Sequence, residues 1–249
     1  MTRQPRRPSE TGVHHVMLRG VNRDVIFLED EDFEHFLRAL QDTKTVSGIA
    51  VLAYCLMTNH VHLVLRTERE PIGVVMKRLG VRYASWFNRK YGRVGHVFQD
   101  RFVSKPIEDD AYLSAVLPYI WNNPVGAGMA TRPEDYRWSS RRWLSHESPL
   151  LDHDLLGKLL SVDAEELADV HAADGVELDL LKPLRYTQAD AVELLHAVAG
   201  VRTPQDFRTL SRQAQRLVVR ELRTRGVSYS LIARIVGTSK STVARMQVA

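Results

Sequence analysis

Apolar and polar positions along the first 130 residues switch between a period of two and a helical period. The run Val13–Arg19 (VHHVMLR) predicts a strand, and residues 31–45 follow with Phe33, Phe36, Leu37 and Leu40 at helical spacing, with Asp30 placed as the N-cap. Residues 49–57 and His60–Arg66 predict two strands separated by Thr58 and Asn59, short enough for a hairpin. A second helix is predicted over residues 72–90, short strands over 95–98 and 102–107, and a third helix over 109–122 that Pro124 is expected to stop. The order β-α-β-β-α-β-α predicts an α+β fold, a ferredoxin-like or RRM-like split β-α-β sandwich with helices on one face of an antiparallel sheet. That architecture hosts RNA-binding modules as readily as enzymes, so function must be argued from the site.

Beyond Tyr136-Arg137-Trp138-Ser139-Ser140-Arg141-Arg142-Trp143, short amphipathic helical patterns run over residues 163–171 and 188–198. They carry no visible chemistry, and connection and packing are their expected roles. Near the C-terminus, Ser228 can cap a helix over Tyr229–Val236, Gly237 can end it, and Ser239 can cap another over residues 240–246. With Ile232, Ile235 and Val243 facing inward, this is the spacing of a helix-turn-helix, and also of a plain helical hairpin. In the first case Lys240, Ser241, Thr242 and Arg245 are the candidate contacts to duplex DNA.

Charge sharpens this division. The 249-residue chain is 44% hydrophobic with a formal net charge of +4, and its pI of about 9.3 makes a polyanion a reasonable partner. Residues 144–200 hold twelve acidic and three basic side chains, whereas residues 201–249 hold ten basic and two acidic. Three regions are therefore expected: 1–143, an acidic helical connector at 144–200, and a basic helix-turn-helix module at 201–249. Arg212, Arg216, Arg220 and Arg223 add to the electrostatic case for the last. The single cysteine, Cys55, cannot form an intramolecular disulfide and fits a buried thiol in a reducing cytoplasm. No run reaches the ~18 apolar residues of a membrane span, and the N-terminus lacks the apolar stretch of a signal peptide. Arg3, Arg6 and Arg7 there can serve as an arm on phosphate or as a solubilising tail.

The chemistry concentrates in AYCLMTNHVHLVL, residues 53–65. On a strand His60 and His62 share one face, and two neutral imidazoles side by side can hold a cation. An H-x-H in a strand is, taken alone, also a common accident. Tyr119 and Asn123 in LPYIWNNPV are four residues apart, so one helix face could present a phenol and a carbonyl ligand to the same ion. Taken alone, Tyr119 is more simply read as an ordinary half-buried helix tyrosine bonding a carbonyl. A phenol has a solution pKa of about 10 and is a poor nucleophile at neutral pH until a cation or base helps remove its proton.

Four motifs in order, YCLMTNHVHLVL, GHVFQDRF, YIWNNPVGAGM and PEDYRWSS, resemble the single-tyrosine HUH transposases, and within them the branch associated with repetitive extragenic palindromes (REP). The resemblance covers roughly residues 11–143. It implies His60 and His62 as metal ligands with Asn123 as a third, Mg²⁺ or Mn²⁺ as the cofactor, and Tyr119 as the nucleophile that joins the 5′ phosphate of cleaved single-stranded DNA. Implied partners are single-stranded hairpin DNA and palindromic repeats, with duplex DNA at the helix-turn-helix and the chain a monomer or homodimer. The rival readings are a noncatalytic DNA-binding regulator on the same fold and an RNA-binding sandwich. Two departures stand out: Pro118 directly before Tyr119, and Gly126 where relatives commonly carry an arginine.

Candidate nucleic-acid contacts outside the site are Arg19, Arg101, and Lys77, Arg78 and Arg82 of the second helix. There Tyr83, Trp86 and Phe87 could stack on bases, but core packing is the simpler expectation.

Overall fold

In the computed structural model residues 9–99, 101–146, 148–160, 164, 167, 186–224 and 227–248 are described. The chain divides into two compact units, residues 1–181 and 182–249. The first unit has the expected α+β architecture: β1 (Val13–Arg19), α1 (Asp30–Ser47), β2 (Ala50–Met57), β3 (His60–Arg66), α2 (Ile72–Tyr91), β4 (Val103–Pro106), α3 (Asp110–Gly126) and a short α4 (His153–Leu159). Its four strands form an antiparallel sheet in the order β2-β3-β1-β4. The β1–β3 register sets Met17 opposite His62 and Arg19 opposite His60.

Both faces of the central strand β3 are covered. Val61, Leu63 and Leu65 are fully buried on one, and His62 and Val64 are buried on the other. α1 and α2 pack side by side, and Tyr83 of α2 donates its hydroxyl to the Ile26 carbonyl within a cluster of Phe27, Phe33 and Phe36. α3 lies against β2, where the Trp121 indole donates to the Ser140 hydroxyl at 2.9 Å and that hydroxyl accepts from the Tyr54 amide at 3.0 Å. The 3₁₀ turn Ser140–Trp143 thus ties the PEDYRWSS segment to the sheet, and the Leu56 amide donates to the Trp138 carbonyl at 2.9 Å.

Three local expectations give way. The cap of α1 is Glu29, not Asp30: the carboxylate of Asp32, fully buried, accepts from the amides of Leu28 at 2.6 Å and Glu29 at 3.0 Å, so the first turn closes one residue earlier. Residues 95–98 form no strand. They follow the end of β1 through a single bridge, Gly20 to Phe98, with Val21 donating to Val97 and Gln99 to Arg19. Gly20 is required by the turn that follows β1, where a Cβ would stand 2.1 Å from the Asp24 carbonyl oxygen.

The third correction is in α3, which runs through both Pro118 and Pro124 to Gly126. Each interior proline costs about 3 kcal/mol. Val116, Leu117, Ile120 and Trp121 of the same helix are fully buried, and at about 1.5–3 kcal/mol per buried side chain they offset that cost.

The second unit is all helical: α5 (Gln188–Ala199), α6 (Pro204–Thr209), α7 (Arg212–Thr224), α8 (Tyr229–Val236) and α9 (Lys240–Val248). Ala191 and Leu195 of α5 share one core with Val219, Leu222, Ile232, Ile235 and Val243. Of the stretch expected as a connector, Asp152 belongs to the first unit, where it accepts from the Val51 amide and pairs with Lys44. Except for Ala164 and Leu167, the pattern expected over 163–171 lies outside the described residues, as do Arg3, Arg6 and Arg7.

Candidate active site

β3 presents His60 and His62 from one face of the sheet, their rings 5.0 Å apart and nearly perpendicular. α3 crosses the same face and sets the Tyr119 ring edge-on to His62 at 5.9 Å. The two histidines and the tyrosine, 57 residues apart in the chain at their closest, are therefore brought together. Asn123 stands one turn further along α3, its Nδ2 donating to the Tyr119 carbonyl at 3.0 Å, which leaves Oδ1 as the atom it can offer outward.

Each imidazole is held through Nδ1. The Asn59 Oδ1 lies 2.7 Å from His60 Nδ1, and the Asn59 Nδ2 donates to the Arg23 carbonyl at 3.3 Å. That second bond fixes which end of the amide faces His60, so His60 Nδ1 is the donor and Nε2 carries the lone pair. His62 Nδ1 lies 3.1 Å from Nε2 of His15 on β1. Neither His15 nor Asn59 was singled out from the sequence as a site residue. The signal for His15 was the pair His14-His15 in β1, since alternation must turn one of the two toward the face of His60 and His62.

Burial dominates the electrostatics. Desolvation, helped by the charge of Arg19, holds His60 down to about 4, and desolvation with Lys105 nearby holds His15 down to about 3. His62 is held well below the ordinary histidine range by burial first and by its two histidine neighbours second. All three are therefore neutral at pH 7, the form that can ligate a metal. Burial pushes the Tyr119 phenol up to about 12, with the Asn123 carboxamide working against it. Its hydroxyl oxygen is buried with no hydrogen-bond partner among the described residues. An unpaired buried hydroxyl costs about 1–3 kcal/mol, and such groups in a native fold call for an explanation. Cys55, opposite His62 in the β2–β3 register, is the buried thiol expected, its pKa raised by desolvation.

These residues suit a divalent ion. Two neutral imidazoles offer Nε2, each oriented by a partner on its other nitrogen, as metal-ligating histidines usually are. Among the described residues no group of three or more His, Cys, Asp or Glu side chains forms a cation cage. The remaining donors would come from the Asn123 carboxamide, substrate phosphate and water.

A family model described as transposase, IS200 like, matches residues 10–123. This domain belongs to the IS200-like transposases. Among solved structures, the transposase domain's fold is shared by a REP-associated tyrosine transposase bound to a REP hairpin, at 18% identity and a TM-score of 0.50 over 70% of this chain and 98% of that one. A provisionally assigned transposase from Deinococcus radiodurans R1 aligns at 20% identity over 49% of this chain and 97% of that one, with a TM-score of 0.35. No curated protein matches the chain.

The other expected contacts of the transposase domain fall into two groups. Arg19 lies opposite His60 and beside Gln99, so the GHVFQDRF segment borders the site through the backbone. Lys77 and Arg101 are exposed. Arg78 instead pairs bidentately with Glu70 at 2.6 and 3.0 Å, and Arg82 pairs with Asp42. Tyr83 and Phe87 are core, as expected, whereas Trp86 is half-buried and stacks on His35 at 3.9 Å. In the second unit Lys240, Ser241 and Arg245 of α9 are exposed and Thr242 half-buried. Arg223 is buried, donating to the Val227 carbonyl at 2.7 Å and lying over the Tyr229 ring, so it is structural and not a phosphate contact.

Proposed function

We propose that the protein nicks and rejoins single-stranded DNA beside hairpin or palindromic elements through Tyr119. The observation that carries this reading is the Tyr119 hydroxyl, buried without a hydrogen-bond partner among the described residues, on a ring edge-on to a neutral His62. In the proposed step the Tyr119 oxygen attacks the scissile phosphorus, the bond to the 3′ oxygen breaks, and a 5′-phosphotyrosine forms. The phenol proton ends on the departing 3′ hydroxyl. Attack by that hydroxyl, or by another strand's, reverses the step and rejoins DNA without an energy source, because the phosphotyrosine retains the bond energy.

His60, His62 and Asn123 would hold the ion, Mg²⁺ or Mn²⁺. When bound, the ion supplies charge neutralisation at the scissile phosphate. The chain's own contribution is to place the phenol, keep the imidazoles neutral and exclude water from the face they share. Hairpin DNA as the partner follows from the family and from what the structural relative binds. Arg19, opposite His60, and the exposed Lys77 and Arg101 are the candidate cations for its backbone. The α8–α9 pair supports a helix-turn-helix reading: Ser228 caps α8, Gly237 ends it in the left-handed conformation, and the Thr242 amide donates to Ser239 at the start of α9. On that reading Lys240, Ser241, Thr242 and Arg245 meet duplex DNA. Among the described residues no helix is long and apolar enough to cross a membrane, and the cytoplasm is the compartment a DNA strand transferase requires.

The test is incubation of the full chain with labelled hairpin DNA in Mg²⁺, Mn²⁺ or EDTA, followed by a denaturing gel. A metal-dependent protein-linked band supports the reading. Tight hairpin binding with no linked band under either metal favours a noncatalytic regulator on the same fold.

A further inference from the structure

We infer that His15 is the positioning residue of the ion site, the group that sets the ring plane of His62 and accepts its Nδ1–H when Nε2 faces the ion. The inference rests on the metal-site reading above and deepens it. Four observations carry it. His15 comes from a different strand, β1, and is 1% exposed, so its ring has no freedom to turn toward water. Its Nε2 is 3.1 Å from His62 Nδ1. The two ring planes are 19° from parallel with centroids 5.3 Å apart. That separation exceeds the N···N distance by about two ring radii, so the rings lie nearly side by side in one plane, joined by an N–H···N bond, rather than face to face. Finally, His15 Nδ1 is buried and has no hydrogen-bond partner among the described residues, so the bond to His62 is the only one its ring makes there.

An in-plane bond of this kind constrains His62 in two ways. It blocks rotation about the Cβ–Cγ axis, because swinging the ring would break the one hydrogen bond that both histidines make. It also links the proton to the ion: when His62 Nδ1–H donates to His15 Nε2, His62 presents an unprotonated Nε2 to the ion. Asn59 does the same for His60 through an oxygen, whose role cannot be reversed. His15, carrying a nitrogen that can donate or accept, leaves the tautomer of the pair free until an ion selects it. The two ligands are thus held differently: His60 is fixed in advance, and His62 is selected on binding.

Mn²⁺ affinity of the full chain, read from free Mn²⁺ by electron paramagnetic resonance, tests this against His15→Phe, His15→Gln and His62→Ala, with each variant's thermal melt and hairpin affinity in EDTA as controls. Wild type should bind and His62→Ala should not. His15→Phe, which keeps the ring's bulk and removes the acceptor, should bind about 10- to 100-fold more weakly while melting and hairpin affinity hold. In His15→Gln the Oε1 reaches the place of Nε2, and most of the affinity should return. Failure of wild type to bind Mn²⁺ overturns the metal site itself. Wild-type binding lost in His62→Ala but unchanged in His15→Phe overturns the role of His15 alone. Should His15→Phe not fold, the long-range ¹H–¹⁵N spectrum of Mg²⁺-loaded wild type decides: His62 protonated on Nδ1 supports the inference, and His62 unprotonated on Nδ1 contradicts it.

Discussion

The histidine face of the transposase domain and the outer face of α9 are both rich in polar groups, yet they are built on opposite physical principles. On the first, His15, His62 and the Tyr119 hydroxyl are out of water, and His15 and His62, from different strands, hold each other. On the second, Lys240, Ser241 and Arg245 stand in solvent, and the bonds of Arg245 run within its own helix, to the Ser241 carbonyl and the Thr242 hydroxyl. A buried polar group costs stability and gains geometry; an exposed cation costs little and gains long-range attraction. The contrast is between a surface built for fixed geometry and a surface built for charge.

The largest expected break in this comparison comes from Trp121. Fully buried and bonded to Ser140, it holds α3 on the sheet, and Trp121→Ala should cost the first unit about 3–5 kcal/mol. The four tryptophans of the chain all lie between residues 86 and 143, so tryptophan fluorescence in urea reads that unit alone. An unchanged midpoint would mean that α3 is held in another way.

Acid should separate the regions next. His60 is lowered from 6.5 to about 4 and His15 to about 3. Between 6.5 and those values the unfolded chain binds protons that the folded chain does not. The stability is complete above pH 6.5 and is lost as pH falls toward 4 and below. Tryptophan-detected melting should drop across that window, and drop less in the His15→Gln variant. A wild-type melting temperature that stays flat from pH 6.5 to 4 would contradict the burial of these rings.

The smallest effect on stability is expected on α9. Lys240→Ala and Arg245→Ala should change folding by no more than about 0.5 kcal/mol, while each lowers the slope of log affinity against log salt for duplex DNA by about 1. Loss of stability without a change in slope would make the pair a packing hairpin instead.

How much of this was readable in advance follows from chain separation. His60 with His62 and Tyr119 with Asn123 are local pairs whose geometry is set by strand alternation and helical spacing, so both were legible. So was the capped α8–α9 pair, whose signals lie within a few residues of one another. His15 was not, because its bond to His62 spans 47 residues and exists only through the β1–β3 register. Asn59 adjoins His60, but its orientation depends on the carbonyl of Arg23, 36 residues away. Pro124 misled for a related reason: as a local signal it ends a helix, and only the burial of Ile120 and Trp121 carries α3 past it.

The central claim is that one phenol on α3 attacks DNA. That helix carries a second, Tyr112, also buried with a hydroxyl that has no hydrogen-bond partner among the described residues, and also raised to about 12, by burial first and by Tyr119 second. The decisive measurement is mass spectrometry of tryptic peptides from the protein–DNA adduct formed with hairpin DNA and Mn²⁺. The account predicts a nucleotide 5′-phosphate on Tyr119 and none in Tyr119→Phe. A nucleotide on Tyr112, or an adduct that persists in Tyr119→Phe, would contradict it.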